Sequence, residues 1–295
     1  CIYAVVSAFV LSEGRAENYF TCAITFGNVS LLLGFWSFIS LYWDLDTSQL
    51  SQLKKILKLV GFFAGIYASC LSGSKGGWIA LPLFIFIVID LFKQRKILSK
   101  KYVAVLFSGC IILGVVSADF VSARINLMIS TLKAYETGNV ESSVGYRLQL
   151  WKGAIYIFKK HPILGVGKGK FQEAASQLAT QEIIAHGPTI HKHAHNEILF
   201  MMAEFGIPGL IVLLVFYFGT FIHFYRYRKH KDITIKTAAY MGLILGVGLV
   251  VFGLTEVIFI KVKEIGFFVV MTCLFLGIIA SRQRELRCQS RYYMY

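Results

Sequence analysis

Long apolar runs, separated by short and mostly basic polar stretches, set the rhythm of this chain. They fall at roughly 1–11, 23–43, 57–73, 77–92, 102–118, 206–225, 237–258 and 265–281. A bilayer-crossing helix needs about 20 mainly apolar residues. The pattern therefore predicts about eight membrane spans, the first of them truncated. Because the chain opens at Cys1 inside an apolar run, it is expected to be a piece lacking its N-terminal part, not a protein with a cleavable signal peptide.

The stretch 119–196 breaks the rhythm. It is too long for a simple connector, and loops of that length are usually functional. Within it Val144 to Lys160 predicts an amphipathic helix, with Leu148, Trp151, Ile155 and Phe158 on one face at three- and four-residue spacing. His161-Pro162 ends that helix, and Gly165-Val-Gly-Lys-Gly-Lys170 predicts a flexible turn. The expected organisation is membrane helices over 1–118, an external loop domain over 119–196, membrane helices over 197–281 and a cytoplasmic tail over 282–295.

Composition sharpens this reading. With 56% hydrophobic and 15% aromatic residues, only 16% charged and a mean hydropathy of +0.64, the chain is too apolar for an ordinary soluble domain. The fold class is all-α and polytopic. The net charge of +14 could indicate nucleic acid, but the basic residues sit in short clusters beside the apolar runs, as membrane topology demands. The clusters are Lys93 to Lys101, Arg226 to Lys231, Arg282 to Arg291 and, more weakly, Lys54, Lys55 and Lys58. Placing all four inside lets the eight runs alternate without exception. Segments 12–22, 72–77, 119–196 and 259–264 then lie outside. The six cysteines (1, 22, 70, 110, 273 and 288) lie in or beside apolar runs and have no metal-finger spacing, so they read as packing residues.

The densest chemistry is His191-Lys-His-Ala-His-Asn196, followed by a short apolar helix and Gly206-Ile-Pro-Gly209. A neutral histidine can take a proton near pH 7, which suits work at a membrane interface. Taken alone, Asn196 reads as a helix N-cap and the histidines as a wet loop. The full spacing is more specific: His195, Asn196, nine residues, then Gly206 and Gly209. It resembles the signature of the O-antigen ligase and polymerase superfamily, bacterial polytopic membrane glycosyltransferases. Arg147 through Phe171, with Trp151, His161-Pro162 and Gly165-Val-Gly167, is similar to the loop helix of that superfamily.

The resemblance implies a GT-C-like bundle with a large periplasmic loop in the bacterial inner membrane. It implies transfer of a glycan from an undecaprenyl-diphosphate carrier to an acceptor hydroxyl, with lipid A–core as the leading acceptor. Repeat-unit polymerase and protein O-oligosaccharyltransferase share these motifs and stay open. His195 is then the base, and Arg147 holds the diphosphate through its planar, permanently charged fork. Lys75, in Ser72-Gly-Ser-Lys75-Gly-Gly-Trp78, stands where the family has arginine. Arg15, ahead of Phe26-Gly-Asn28, loosely matches another basic element of the family. With Asn196 and Glu256 these complete the expected substrate-binding set, and Trp151, Gly206 and Gly209 form the structural motif. Glu256 stands out because an ionisable group in a span is a functional candidate, although Lys261 or Lys263 could pair with it.

Neither cofactor nor metal is expected: His186, His191, His193 and His195 show no recognised ligand spacing with the carboxylates near them. Gly165 to Lys170 lacks the spacing of a nucleotide loop, and Asp44-Leu-Asp46 falls on the inner side. From another class, an anion transporter would also use external cations and Glu256, but no inverted repeat supports it.

Overall fold

The computed structural model describes residues 22–44, 50–73, 75–94, 122–123 and 125–292. The predicted runs at 1–11 and 102–118, and with them Arg15, lie outside the described residues. Among the described residues every regular element is a helix: α1 (Ala23–Ile39), α2 (Leu50–Ser72), α3 (Lys75–Trp78), α4 (Leu81–Lys93), α5 (125–136), α6 (Ser143–Lys160), α7 (Phe171–Thr180), α8 (Glu197–Tyr227), α9 (Ile233–Gly253) and α10 (Val262–Tyr292). Six stretches are long and apolar enough to cross a membrane: Ala23–Trp43, Gln52–Ser72, Gly76–Lys93, Glu197–Tyr227, Ile233–Gly253 and Val262–Ser290. Each coincides with a predicted run. The protein is an all-α polytopic membrane protein.

The chain divides into two compact units. The first holds 1–119, 220–249 and 266–295; the second holds 120–219 and 250–265. In the first, α1 and α2 pack at very close range. A Cβ added at Gly65 would lie 2.5 Å from the Ser30 carbonyl oxygen and 2.7 Å from the Gly34 Cα, so only glycine fits that crossing. Around it Phe35 meets Phe62 and Phe84 edge to face. Trp36 Nε1 donates to the Met241 carbonyl at 3.0 Å, tying α1 to α9.

In the second unit a core of Leu150, Ala154 and Ile157 from α6, Phe171, Ala175 and Leu178 from α7, and Phe200 and Ala203 from α8 surrounds Ala194 and Val257. The predicted amphipathic helix is present as α6, but its buried face differs from the expected one. Leu150, Gly153, Ala154 and Ile157 point inward, while Ile155 is 42% exposed. The cause is the small residues at 153 and 154. They let the helix backbone approach Ile184 and Leu178, which larger apolar residues would push away.

The Gly165–Lys170 stretch is not a free turn either. Val166 N–H donates to the Ala203 carbonyl at 2.9 Å and Gly167 N–H to that of Glu204 at 2.8 Å. The buried Glu204 carboxylate accepts from the N–H groups of Gly169 (2.9 Å) and Phe171 (3.3 Å). That stretch is thereby clamped onto α8 where α8 breaks. Gly206 there has φ 63° and ψ −150°, a conformation open almost only to glycine. Ile207 N–H leaves the helical ladder and donates to the Pro162 carbonyl at 2.8 Å.

Candidate functional site

Three pieces of the second unit converge: α6, the loop 191–196 at the head of α8, and the loop 254–261 between α9 and α10. Glu256 had been expected inside a 237–258 span, but α9 stops at Gly253. A side chain at Gly253 would meet the Tyr217 hydroxyl at 2.6 Å and the Glu197 Cβ at 3.2 Å. Beyond it the Asn196 amide donates to the Leu254 carbonyl at 3.1 Å. The Glu197 carboxylate, fully buried, accepts from the N–H groups of Ile258 and Phe259. These bonds capture the chain after α9 as a loop and turn Glu256 back toward the histidines.

Asn196 is also the N-cap that its sequence suggests, since its Oδ1 accepts from Leu199 N–H at 3.0 Å. Both ends of its amide thus hold the frame of the site. Trp151 serves the same frame from α6, donating its indole N–H to the Ala194 carbonyl at 3.0 Å, one residue before His195.

His195 itself sits at φ 51°, in the left-handed region that side chains other than glycine rarely adopt. Such strain persists only where the surroundings over-determine it, and it clusters at functional sites. Its ring is 4.3 Å from that of His193 and 5.0 Å from that of His191, centroid to centroid. Nδ1 faces Glu256 Oε1 at 3.5 Å, too long for a formed hydrogen bond, and is buried without another partner among the described residues. Nε2 faces His191 Nδ1 at 3.4 Å. The tautomer that carries its proton on Nδ1, toward the carboxylate, is the one that leaves Nε2 as acceptor.

The electrostatics separate the histidines. Burial, reinforced by the charge of His195, pushes His193 down to about 4, with Glu256 opposing. His193 is therefore neutral near pH 7, in keeping with its Nδ1 accepting the His195 backbone N–H at 3.4 Å. His191 is lowered as well, by burial first and then by His195 and Arg147. Burial alone would raise the Glu256 carboxyl, but the His195 imidazole, the Lys261 ammonium and the Val257 N–H outweigh it and hold the group down to about 2. Glu256 is a carboxylate at any ordinary pH, with only 3% of its surface exposed. Lys261 bridges it (3.4 Å) to Glu264 (3.2 Å). Arg147, half-buried at the start of α6, completes the field. Burial depresses its guanidinium while Glu256 supports its charge, and it acts electrostatically on His191. Arg147 stays cationic because guanidinium titrates far above neutrality.

One ligand atom each from His193, His195 and Glu256 lies within 4.8 Å of the others, a spacing that could hold a metal ion. The Lys261 ammonium lies 3.4 Å from the same Glu256 oxygen that faces both imidazoles. A divalent ion there would be repelled by a fixed positive charge at close range.

Of the residues singled out in the sequence, Trp151, His195, Asn196 and Glu256 come together in the second unit, with Arg147 acting electrostatically on Glu256 and His191 from α6 and Gly206 and Gly209 further along α8. A Cβ at Gly209 would fall 2.4 Å from that of Phe205, so the second glycine is needed for the bend as the first is. Lys75 opens α3, which belongs to the other unit, and its side chain is outside the described residues. Glu197 and Glu204, the two carboxylates that fasten the loops to α8, were not singled out. The only signal for them was a charge at each end of an otherwise apolar helix piece.

Known proteins resemble this chain along much of its length. The family model for O-antigen ligase matches residues 60–214, just over half of the chain. An uncharacterised protein of Haemophilus influenzae is 27% identical over 229 residues, covering 76% of this chain and 56% of its own length. The O-antigen ligase of Escherichia coli K12 is 23% identical over 236 residues, covering 78% of this chain and 53% of its own. The chain spans about half the length of the curated relatives it matches.

Proposed function

The chain belongs to the O-antigen ligase family, and on that footing we propose that it is a membrane glycosyltransferase moving a glycan from a polyprenyl-diphosphate carrier to an acceptor hydroxyl. Undecaprenyl diphosphate is the proposed carrier and lipid A–core the proposed acceptor. The site faces the periplasm of the bacterial inner membrane. The observation that carries this reading is His195: a strained imidazole with Glu256 facing one nitrogen and His191 the other, in the electrostatic field of the cationic Arg147.

The chemistry follows from those positions. The acceptor oxygen attacks the anomeric carbon while His195 Nε2 takes its proton. The bond from that carbon to the diphosphate oxygen breaks, and its electron pair leaves with the lipid diphosphate. Glu256 steadies the imidazolium that forms, much as a carboxylate orients a catalytic histidine elsewhere. Arg147 supplies the charge-assisted bonds that a departing diphosphate needs, and Lys75 and Arg15 are the further cations proposed for it. The proposed step uses no metal: the donor already carries a good leaving group, and the Lys261 ammonium 3.4 Å from Glu256 disfavours a second cation beside it. Asn196 and Trp151 are proposed to act on substrate only through the frame they hold.

The test is transfer in membranes supplied with lipid-linked glycan. His195→Ala is expected to reduce it by ~10²–10⁴-fold, the range for positioned proton transfer. Arg147→Ala should cost ~10²–10³-fold, as for a lost oxyanion donor. Both proteins should still insert, and chelator should leave the parent unchanged. Near-parental transfer by both variants sinks the mechanism. The acceptor is read from cells lacking the protein: lipid-linked polymer retained with bare lipopolysaccharide marks a ligase, and a single-repeat cap marks a polymerase.

A further inference from the structure

The tip of the segment joining α6 to α7 carries two large apolar side chains that the fold leaves uncovered. Ile163 is 70% exposed and Leu164 is 73% exposed. Nothing about the tip is loose. Gly165 N–H donates to the His161 carbonyl at 3.0 Å, Ile207 N–H donates to that of Pro162, and the next residues bond to Ala203 and Glu204. Glycine is required on both sides of this clamp. A Cβ at Gly165 would strike the Glu204 backbone at 2.4 Å, and one at Gly206 the Ile163 carbonyl oxygen at 2.5 Å.

The clamp holds the tip against the point where α8 turns lipophilic. From Ile207 onward α8 presents Ile207, Ile211, Val215 and Phe218 along one exposed face at spacings of three and four residues, with Ile207 at 44% and Val215 at 65%. The piece from Ile207 to Tyr227 is roughly 31 Å long at ~1.5 Å per residue, enough for the ~30 Å hydrocarbon core without the residues before the break. Ile163 and Leu164 therefore extend the lipid-facing surface of the span sideways at one end of it. Around the tip stand Lys159, Lys160, His161, Lys168 and Lys170, all exposed. Lysines so placed keep their ammonium groups at phosphate level while their stems follow apolar surface inward.

We infer that the turn Pro162–Gly165 is immersed in the lipid leaflet on the histidine side, as a fixed membrane anchor of the second unit. Its occupant is acyl chain, with lipid phosphates on the surrounding lysines. Immersion stands on these contacts alone; its use rests on the function proposed above. The helical piece Glu197–Phe205 is roughly 14 Å long at ~1.5 Å per residue, so the anchor keeps His195 within that distance of the hydrocarbon edge. The diphosphate of a lipid-linked donor lies in the headgroup layer just beyond that edge.

The experiment is tryptophan quenching by brominated phospholipid in reconstituted protein. Leu164→Trp is compared with Gln177→Trp, whose position is exposed on the polar face of α7, and the native tryptophans serve as common background. The added tryptophan at 164 should be quenched at least twofold more strongly than that at 177. Bromine high on the acyl chain should act more strongly than bromine near its end. Equal quenching at the two positions overturns the inference. If Leu164→Trp does not insert, Ile163→Trp replaces it under the same criterion. The readout needs no turnover, so a failed anchor and a failed catalytic reading are told apart. Leu164→Asp should lose several-fold in transfer from membrane-bound donor if immersion sets the height of the site; unchanged transfer would overturn that use.

Discussion

Two polar clusters in this protein are built from the same kinds of side chain and finished in opposite ways. At the start of α9, Asp232 accepts from the N–H groups of Thr234 (2.9 Å) and Ile235 (3.1 Å) and from Arg282 Nε (2.9 Å); Arg282 Nη1 reaches Glu285 at 2.7 Å. Every charge there has its counterpart, and the backbone is ordinary. Burial alone would raise the Asp232 carboxyl, but those donors hold it below its usual value. The histidine cluster lacks that completeness. His195 is in a strained conformation, its Nδ1 is buried without a formed hydrogen bond, and Glu197 Oε1 has no donor among the described residues. Polar groups that serve stability satisfy one another. Unsatisfied atoms coinciding with backbone strain at one cluster support the proposal that it binds something else.

The contrast can be broken from either side. The sharpest cut is His195→Ala made in parallel with Arg282→Gln. The first should remove transfer by the ~10²–10⁴-fold expected of a lost base, and the second should leave transfer near parental. If Arg282→Gln abolished transfer with insertion intact, the division between the two clusters would be false. Glu256→Gln comes next. Keeping the shape but losing the charge, it should reduce transfer by ~10-fold or more through the unsupported imidazolium. It should also weaken the hold of Lys261, read as faster amide exchange over 254–261.

A third cut is the bend. Gly206→Ala places a Cβ against Ile163 and forces a non-glycine residue to φ 63°. The expected loss is ~2 kcal/mol or more of stability, measured as the thermal melt of the detergent-solubilised protein. An unchanged melt would mean the clamp between α8 and the 161–170 segment is not formed.

Acid sharpens the comparison further. His193 is neutral when folded down to about 4, whereas the unfolded chain protonates it near 6.5. The unfolded state therefore binds more protons between those values, and stability falls as pH drops from 6.5 toward 4. Glu256 acts in the same direction at lower pH. Its folded value of about 2 lies below the ordinary 4.5, so its contribution is present above 4.5 and lost as pH falls toward 2. Melts between pH 7 and 4 should lose on the order of 2 kcal/mol, and His193→Phe should flatten the upper part of that slope. The smallest effect is that of Asp232→Asn, at ~1 kcal/mol with no change in transfer, because its partners stay partly in water.

Much of the fold was legible because crossing a bilayer is a local property. An apolar run either is or is not long enough, and six runs could be read that way, with ends that differ by up to nine residues from the observed stretches. The cap at Asn196, the helix over 143–160 and the break at Gly206 are local too, each written in one or two residues. Harder to see was the inward face of α6, where Gly153 and Ala154 decide the packing although neither adds to an apolar stripe. Glu256 was misread as lying in a span because the residues around it are apolar. Its helix ends early through contacts with Asn196, Glu197 and Tyr217, which lie far away in the sequence.

What the sequence by itself determined, then, is a chain of membrane helices and a histidine-rich motif at the head of one of them. Only the tertiary structure decided that His195 and Glu256 face each other within the field of Arg147, that Lys261 bridges Glu256 to Glu264, and that the 161–170 segment is clamped to α8. The physical reason is the range of the interactions. Helix length, caps and glycine breaks are fixed by neighbours along the backbone. The site depends on buried hydrogen bonds and close backbone approaches between distant segments, and no local period encodes those.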